Sequence, residues 1–125
     1  MQYLNLTPHA ITILLDDGRE VNIPPSGDVA RVKTTAIPAG TVGPECIPTV
    51  RQRLGKVTVV TKGGAVIPFE EYATQRPDTI FVVSLIVLRA LQGEPYVVAP
   101  DTGPASAVRD EYGRIRAVRR FVVET

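Results

Sequence analysis

The chain has 125 residues, 44% hydrophobic and 22% charged, with 14 Lys and Arg against 13 Asp and Glu and a formal net charge of +1. That is the size and composition of one globular domain, 1–125, able to bury a core without metal or disulfide staples, and it excludes a disordered tail. Near-neutrality supplies no global field for a phosphate backbone, and there is no run of about 18 apolar residues to span a bilayer, so neither bulk nucleic acid nor a membrane is an expected partner.

Val occurs 18 times and Thr 12 times against 8 Leu, a bias toward side chains that suit a pleated surface. In chain order, Tyr3, Leu4 and Leu6 read as a strand ending before Pro8. Ile11, Ile13 and Leu15 alternate with Thr12 and Leu14, turn at Asp16-Asp17-Gly18 and return through Val21 and Ile23 as a hairpin. Pro24-Pro25-Ser26-Gly27 makes a corner, because successive prolines lack donors and Gly tolerates positive φ. Alternation resumes from Asp28 to Thr34. Residues 37–48 hold three prolines, two glycines and Cys46 and read as a long irregular excursion. Val50 to Arg53 and Val57 to Thr61 read as a further pair of strands joined around Gly55.

Gly63-Gly64 breaks the pattern, and Pro68-Phe69-Glu70-Glu71-Tyr72 opens a short helix. Ile80 to Val83 is a buried strand, Ser84 an N-cap, Leu85 to Leu91 a helix and Gly93 its stop. The chain ends in a strand from Tyr96 to Ala99, a loop from Pro100 to Ala107, and a hairpin turning at Glu111-Tyr112-Gly113. The expected fold is mainly β (β-rich α+β), a small single-domain barrel or sandwich with one packed helix at about 84–92 and a second near Phe69.

Asp101, Thr102, Gly103, Ser106 and Arg109 bring a carboxylate, two hydroxyls, an open backbone and a guanidinium into one short span, the parts of an anion or ribose site. The alternative is that Asp101 and Thr102 close their own loop as Asx and ST turns while Arg109 pairs with Asp110 or Glu111. Arg114, Arg116, Arg119 and Arg120, with Arg109 before them, read as the only local basic concentration, either gripping phosphates or protecting an edge strand. His9, between two strands, is either a ligand contact or a structural turn residue. No paired carboxylates, metal-ligand set or activated nucleophile stands out, and neither GxGxxG nor GxxxxGK[ST] is present, so we expect no enzyme, no metal and no cofactor. The lone Cys46 lacks any CxxC or Cys/His spacing, which points to a reducing compartment, and MQYLNLTPHA lacks the features of a secretory signal.

In order along the chain, Leu4-Asn5-Leu6-Thr7-Pro8-His9, Ile23-Pro24-Pro25-Ser26-Gly27 with Ala30-Arg31, Val82-Val83-Ser84, Ala99-Pro100-Asp101-Thr102-Gly103-Pro104 and Val108-Arg109-Asp110-Glu111 resemble a small protein family common in phages, prophages and actinobacterial genomes. Between Val57 and Pro77 the chain departs from that pattern with an extra stretch. The resemblance implies a phage protein in the bacterial host's cytoplasm. Small phage proteins without catalytic constellations are often inhibitors, and one class resembles sponges that sequester nucleotide signals of defence systems such as Thoeris or CBASS.

On that expectation Arg31 and Arg109 would meet phosphates, Thr7, Ser84 and Thr102 ribose hydroxyls, and His9, Tyr96 or Tyr112 a base, with Asp101 and Gly103 completing the loop. A homo-oligomer is expected. The alternative is a structural or host-inhibiting protein-interaction module without a small ligand. A third reading, degradation of the signal through His9, ranks behind both.

Overall fold

The computed structural model describes residues 1–124. It is β-rich, as the Val and Thr content predicts, with strands β1 (Gln2–Asn5), β2 (Ile11–Leu14), β3 (Glu20–Ile23), β4 (Val29–Val42), β5 (Ile47–Val60) and β6 (Val66–Pro68), helix α1 (Phe69–Thr74), strand β7 (Thr79–Val82), helix α2 (Leu85–Ala90), and strands β8 (Val97–Pro100), β9 (Val108–Arg109), β10 (Ile115–Ala117) and β11 (Phe121–Val122). Among the described residues no helix is long and apolar enough to cross a membrane.

The centre is a four-stranded sheet in the order β1-β7-β8-β11. β1 and β8 both run parallel to β7, and β11 closes the edge antiparallel to β8. Parallel neighbours need a crossover rather than a tight turn, and α2 supplies it between β7 and β8. Because β7 is covered on both faces, its side chains divide between two cores. Phe81, with Val83 just beyond the strand, packs with Leu6, Val57, Val59, Phe69, Tyr72, Val87, Leu88 and Val97, while Val82 packs with Ile13, Ile23 and Val118 under the β2-β3 hairpin. Phe69 meets Phe81 edge-on at 5.4 Å between ring centroids, a geometry the ring quadrupoles favour.

Ser84 occupies the N-cap position of α2, yet its hydroxyl makes no capping hydrogen bond. Gly93, at φ +84, ends that helical segment, as expected of a left-handed stop. The Pro24–Gly27 corner forms as predicted, with Ser26 N–H and Oγ both donating to the Asn5 carbonyl and Gly27 at φ +95. Gly27→Ala forces a side chain into that backbone region and is expected to lower stability by about 1–2 kcal/mol in urea unfolding; an unchanged midpoint would show that the corner relaxes freely.

Two expectations are corrected. Residues 37–48 are not an irregular excursion, and 50–53 with 57–61 are not two strands. β4 and β5 are each 14 residues long and pair antiparallel from Val29↔Val60 to Val42↔Ile47, turning over Gly43–Cys46. Prolines are tolerated because each strand of such a ribbon keeps an outer edge where a missing N–H breaks nothing. Gly55 does not separate two strands. It lies at a register shift opposite Lys33, where a Cβ would come to 3.1 Å from the Lys33 carbonyl oxygen. Past Val57 the ribbon leaves the core, and most of its residues from 33 to 56 are exposed.

Candidate functional site

The carboxyl ends of β1 and β8 feed two segments that face each other, residues 7–12 and the loop starting at Pro100. Loops diverge at such ends of parallel strands, which makes them the usual place for ligand clefts. An open cleft of about 340 Å3 lies there, lined by His9, Ile11, Pro100, Thr102, Ile115 and Arg116 among others. It is within the lower range of small-molecule sites.

Its walls are held from behind. Asn5, 1% exposed, is the hub of the first segment: its amide nitrogen donates to the carbonyls of His9 (2.8 Å) and Ile23 (3.1 Å), and its amide oxygen accepts from the backbone N–H (3.0 Å) and hydroxyl (2.7 Å) of Thr7. Every polar atom of a buried Asn is thereby matched, as burial demands. On the second wall Asp101 accepts from the Gly103 N–H (3.0 Å) and from Arg120 Nε (2.6 Å). The Arg120 bond and the Gly103 N–H hold its carboxyl below the ordinary value of 3.8. Buried Ser106 accepts from the Arg119 N–H at 2.9 Å, pinning the far end of the loop.

Of the residues expected to bind a ligand, His9 and Thr102 share this cleft. Thr7, Asp101 and Gly103 shape its walls through bonds within their own segments, the alternative raised for that loop. Arg109 lies directly across from Ile115 of the cleft wall, with its guanidinium donating to the Gly113 carbonyl at 2.6 Å rather than pairing with Asp110 or Glu111. Arg31 is elsewhere, in a notch of the ribbon with Lys33, Lys56 and Thr58. Ser84, at the N-cap of α2, does not line the cleft either, so the eight residues do not converge on one pocket. Of the two other aromatic candidates, Tyr96 lines a different cleft and Tyr112 is exposed in the 111–113 turn.

Arg116, for which the sequence leaves phosphate binding and edge protection as alternatives, is the cation of the cleft. It pairs with Glu20 at 2.8 Å, both side chains being more than 40% exposed. Such a pair contributes about 1 kcal/mol or less, so an incoming anion can displace Glu20 at small cost. The period-two spacing of Arg114 and Arg116 was the available signal; that Thr102 and His9 stand opposite depends on the fold.

A second cleft of about 370 Å3 opens near the amino ends of β7 and β8, among Phe69, Glu70, Arg76, Asp78, Glu94 and Tyr96. Its single cation is engaged: Arg76 lies 3.6 Å above the Tyr72 ring centroid and donates to the Tyr72 carbonyl. Among the described residues no three His, Cys, Asp or Glu side chains are placed to hold a metal ion.

Compared with protein-family models, curated proteins and solved structures, the chain matches none.

Proposed function

We propose that the protein is a noncatalytic binding protein that sequesters a small nucleotide-derived anion, of the cyclic-nucleotide or ADP-ribose-like kind used as bacterial immune signals, in the cleft between His9, Thr102 and Arg116. One observation carries the reading: Arg116, Thr102 and His9 line one cleft together with the apolar residues Ile11, Pro100 and Ile115. Arg116 pairs with phosphate, Thr102 meets a ribose hydroxyl, and His9 with the apolar wall takes the base. Sequestration needs a tight site and no bond-making step, so intact ligand is recovered when the protein is denatured.

The test is a thermal-shift panel of cyclic dinucleotides, cyclic ADP-ribose isomers and plain nucleotides. A ligand that binds only the folded chain raises Tm, by an amount equivalent to about 2.7 kcal/mol at a hundredfold excess over Kd. Arg116→Ala is expected to remove about 1.5–3 kcal/mol of that binding while leaving the free protein's Tm nearly unchanged. A flat panel, or a shift that survives Arg116→Ala, overturns the reading.

The protein-interaction alternative has an observation of its own. Cross-strand register puts Ala36, Pro38, Leu54 and Val50 on one face of the ribbon, and Leu54 lines a groove with the half-exposed Leu85 and Ile86 of α2. A lone two-stranded ribbon is marginal in water, which favours a second copy of the chain covering that apolar face. Light scattering that finds a monomer at all concentrations removes this alternative.

A further inference from the structure

The opposite face of the ribbon has a different chemistry. Side chains alternate along a strand, and directly paired residues share a face. With Arg31↔Thr58, Thr35↔Arg53 and Ile37↔Arg51, and a one-residue shift between Val32 and Thr34, the register places Arg31, Lys33, Lys56, Arg53 and Arg51 on one side. The notch formed by Arg31, Lys33, Lys56 and Thr58 around the shift agrees with that assignment. All five cations are exposed, and among the described residues none of them is in an ion pair. Glu45, at the tip, is the only acid between residues 31 and 56, so the remainder of this nearly neutral chain is acidic on balance.

We propose that this cationic face docks on the phosphate backbone of duplex DNA. The five charges are spread over about 20 Å of a ribbon that continues some 15 Å further to its tip. The major groove, about 12 Å wide, admits a two-stranded ribbon. Polyanionic phosphate is the complement of a stripe of unpaired Arg and Lys with no acid among them. Single-stranded nucleic acid fits less well, because binding it draws on aromatic stacking platforms and residues 29–60 contain no Phe, Tyr or Trp. The acidic balance of the body limits contact to the arm, so the inference is independent of the cleft.

The full chain is titrated into a short labelled duplex of mixed sequence, with binding read by fluorescence anisotropy between about 50 and 200 mM NaCl. Five phosphate contacts give a slope of log K against log salt of about −4.5. Arg51→Glu/Arg53→Glu, both at exposed positions and checked for an unchanged Tm, is expected to weaken binding by at least about tenfold and to flatten the slope by about 2. Arg114→Glu, elsewhere on the molecule, leaves both unchanged. The proposal is overturned if no duplex binding occurs at the lowest salt, if the double variant binds as well as the parent, or if a single strand of the same sequence binds as tightly as the duplex. If the double variant instead changes the molecular mass in light scattering and no duplex is bound, the face is a contact between copies and the proposal fails.

Discussion

Asn5→Ala is expected to destabilise the protein by about 3 kcal/mol, a fall in Tm of roughly 10 °C. The side chain is almost wholly buried and ties three pieces of chain together: its own strand, the Thr7–His9 segment and the end of β3 at Ile23. Truncation strips a donor from the Ile23 carbonyl and an acceptor from the Thr7 N–H, and a buried polar group left alone costs about 1–3 kcal/mol. Thr7→Val, which removes one hydroxyl from the same network, should cost about 1 kcal/mol. Asn5→Asp is expected to be at least as damaging as Asn5→Ala at neutral pH, because it sets a carboxylate oxygen against two carbonyl oxygens in place of the amide donor. Urea unfolding of the three variants settles the matter: if Asn5→Ala costs no more than Thr7→Val, Asn5 is not the hub and the cleft wall is held by other contacts. The link to function is direct, since the segment that Asn5 holds presents His9.

The second large effect concerns Tyr72, the ring on which α1 is mounted. Its hydroxyl donates to Asp28 Oδ2 at 2.7 Å, the Lys62 N–H donates to Asp28 Oδ1 at 3.0 Å, and Arg76 stacks on the outer face of the ring. Tyr72→Ala removes a fully buried aromatic ring together with its bond and is expected to cost about 3–5 kcal/mol. Tyr72→Phe keeps the ring and loses a hydrogen bond to a charged acceptor, about 1.5–3 kcal/mol. If the two variants are equally damaging, the bond rather than the packing carries the contribution.

This cluster also sets a pH dependence with a definite sign at each end. The Tyr72 hydrogen bond, and after the opposing desolvation the Lys62 N–H, hold Asp28 below 3.8. A depressed carboxylate stabilises the fold above its unfolded value, and that contribution is lost as pH falls below about 4. Burial, and then the bond to Asp28, push Tyr72 from 10.0 up to about 12. A raised phenol contributes fully below pH 10 and loses that contribution as pH rises from 10 toward 12. Asp28→Asn should therefore flatten the acid limb of the stability curve, and Tyr72→Phe the alkaline limb; limbs identical to those of the parent would rule out this cluster as their source.

What short-range pattern dictates was legible in the residues. Alternation at Ile11, Ile13, Val21 and Ile23 gave the β2-β3 hairpin, Pro68 opening α1 and Gly93 closing α2 gave both helices, and Asp101-Thr102-Gly103 gave an Asx turn. Each depends on neighbours a few residues apart, where backbone sterics and local hydrogen bonds decide the outcome.

The ribbon is hidden in the sequence because Pro38 and Pro48 signal breaks in a central strand, and only the absence of a third strand beside them makes them acceptable, while Pro44 falls in the turn. The basic run at Arg114–Arg120 looked like the concentration of charge, yet Arg116 and Arg120 are paired with Glu20 and Asp101. The larger concentration is not visible along the sequence because Arg31 and Lys33 lie about 20 residues from Arg51, Arg53 and Lys56, and become neighbours only through hairpin register. The same holds for the cleft: His9 faces Thr102 because β1 and β8 flank β7 in parallel, an arrangement selected by burying Phe81 and Val82 on opposite sides of one strand. Local geometry is written in runs of adjacent residues, whereas strand partners and register are chosen by which pairing buries the most apolar surface across the whole chain.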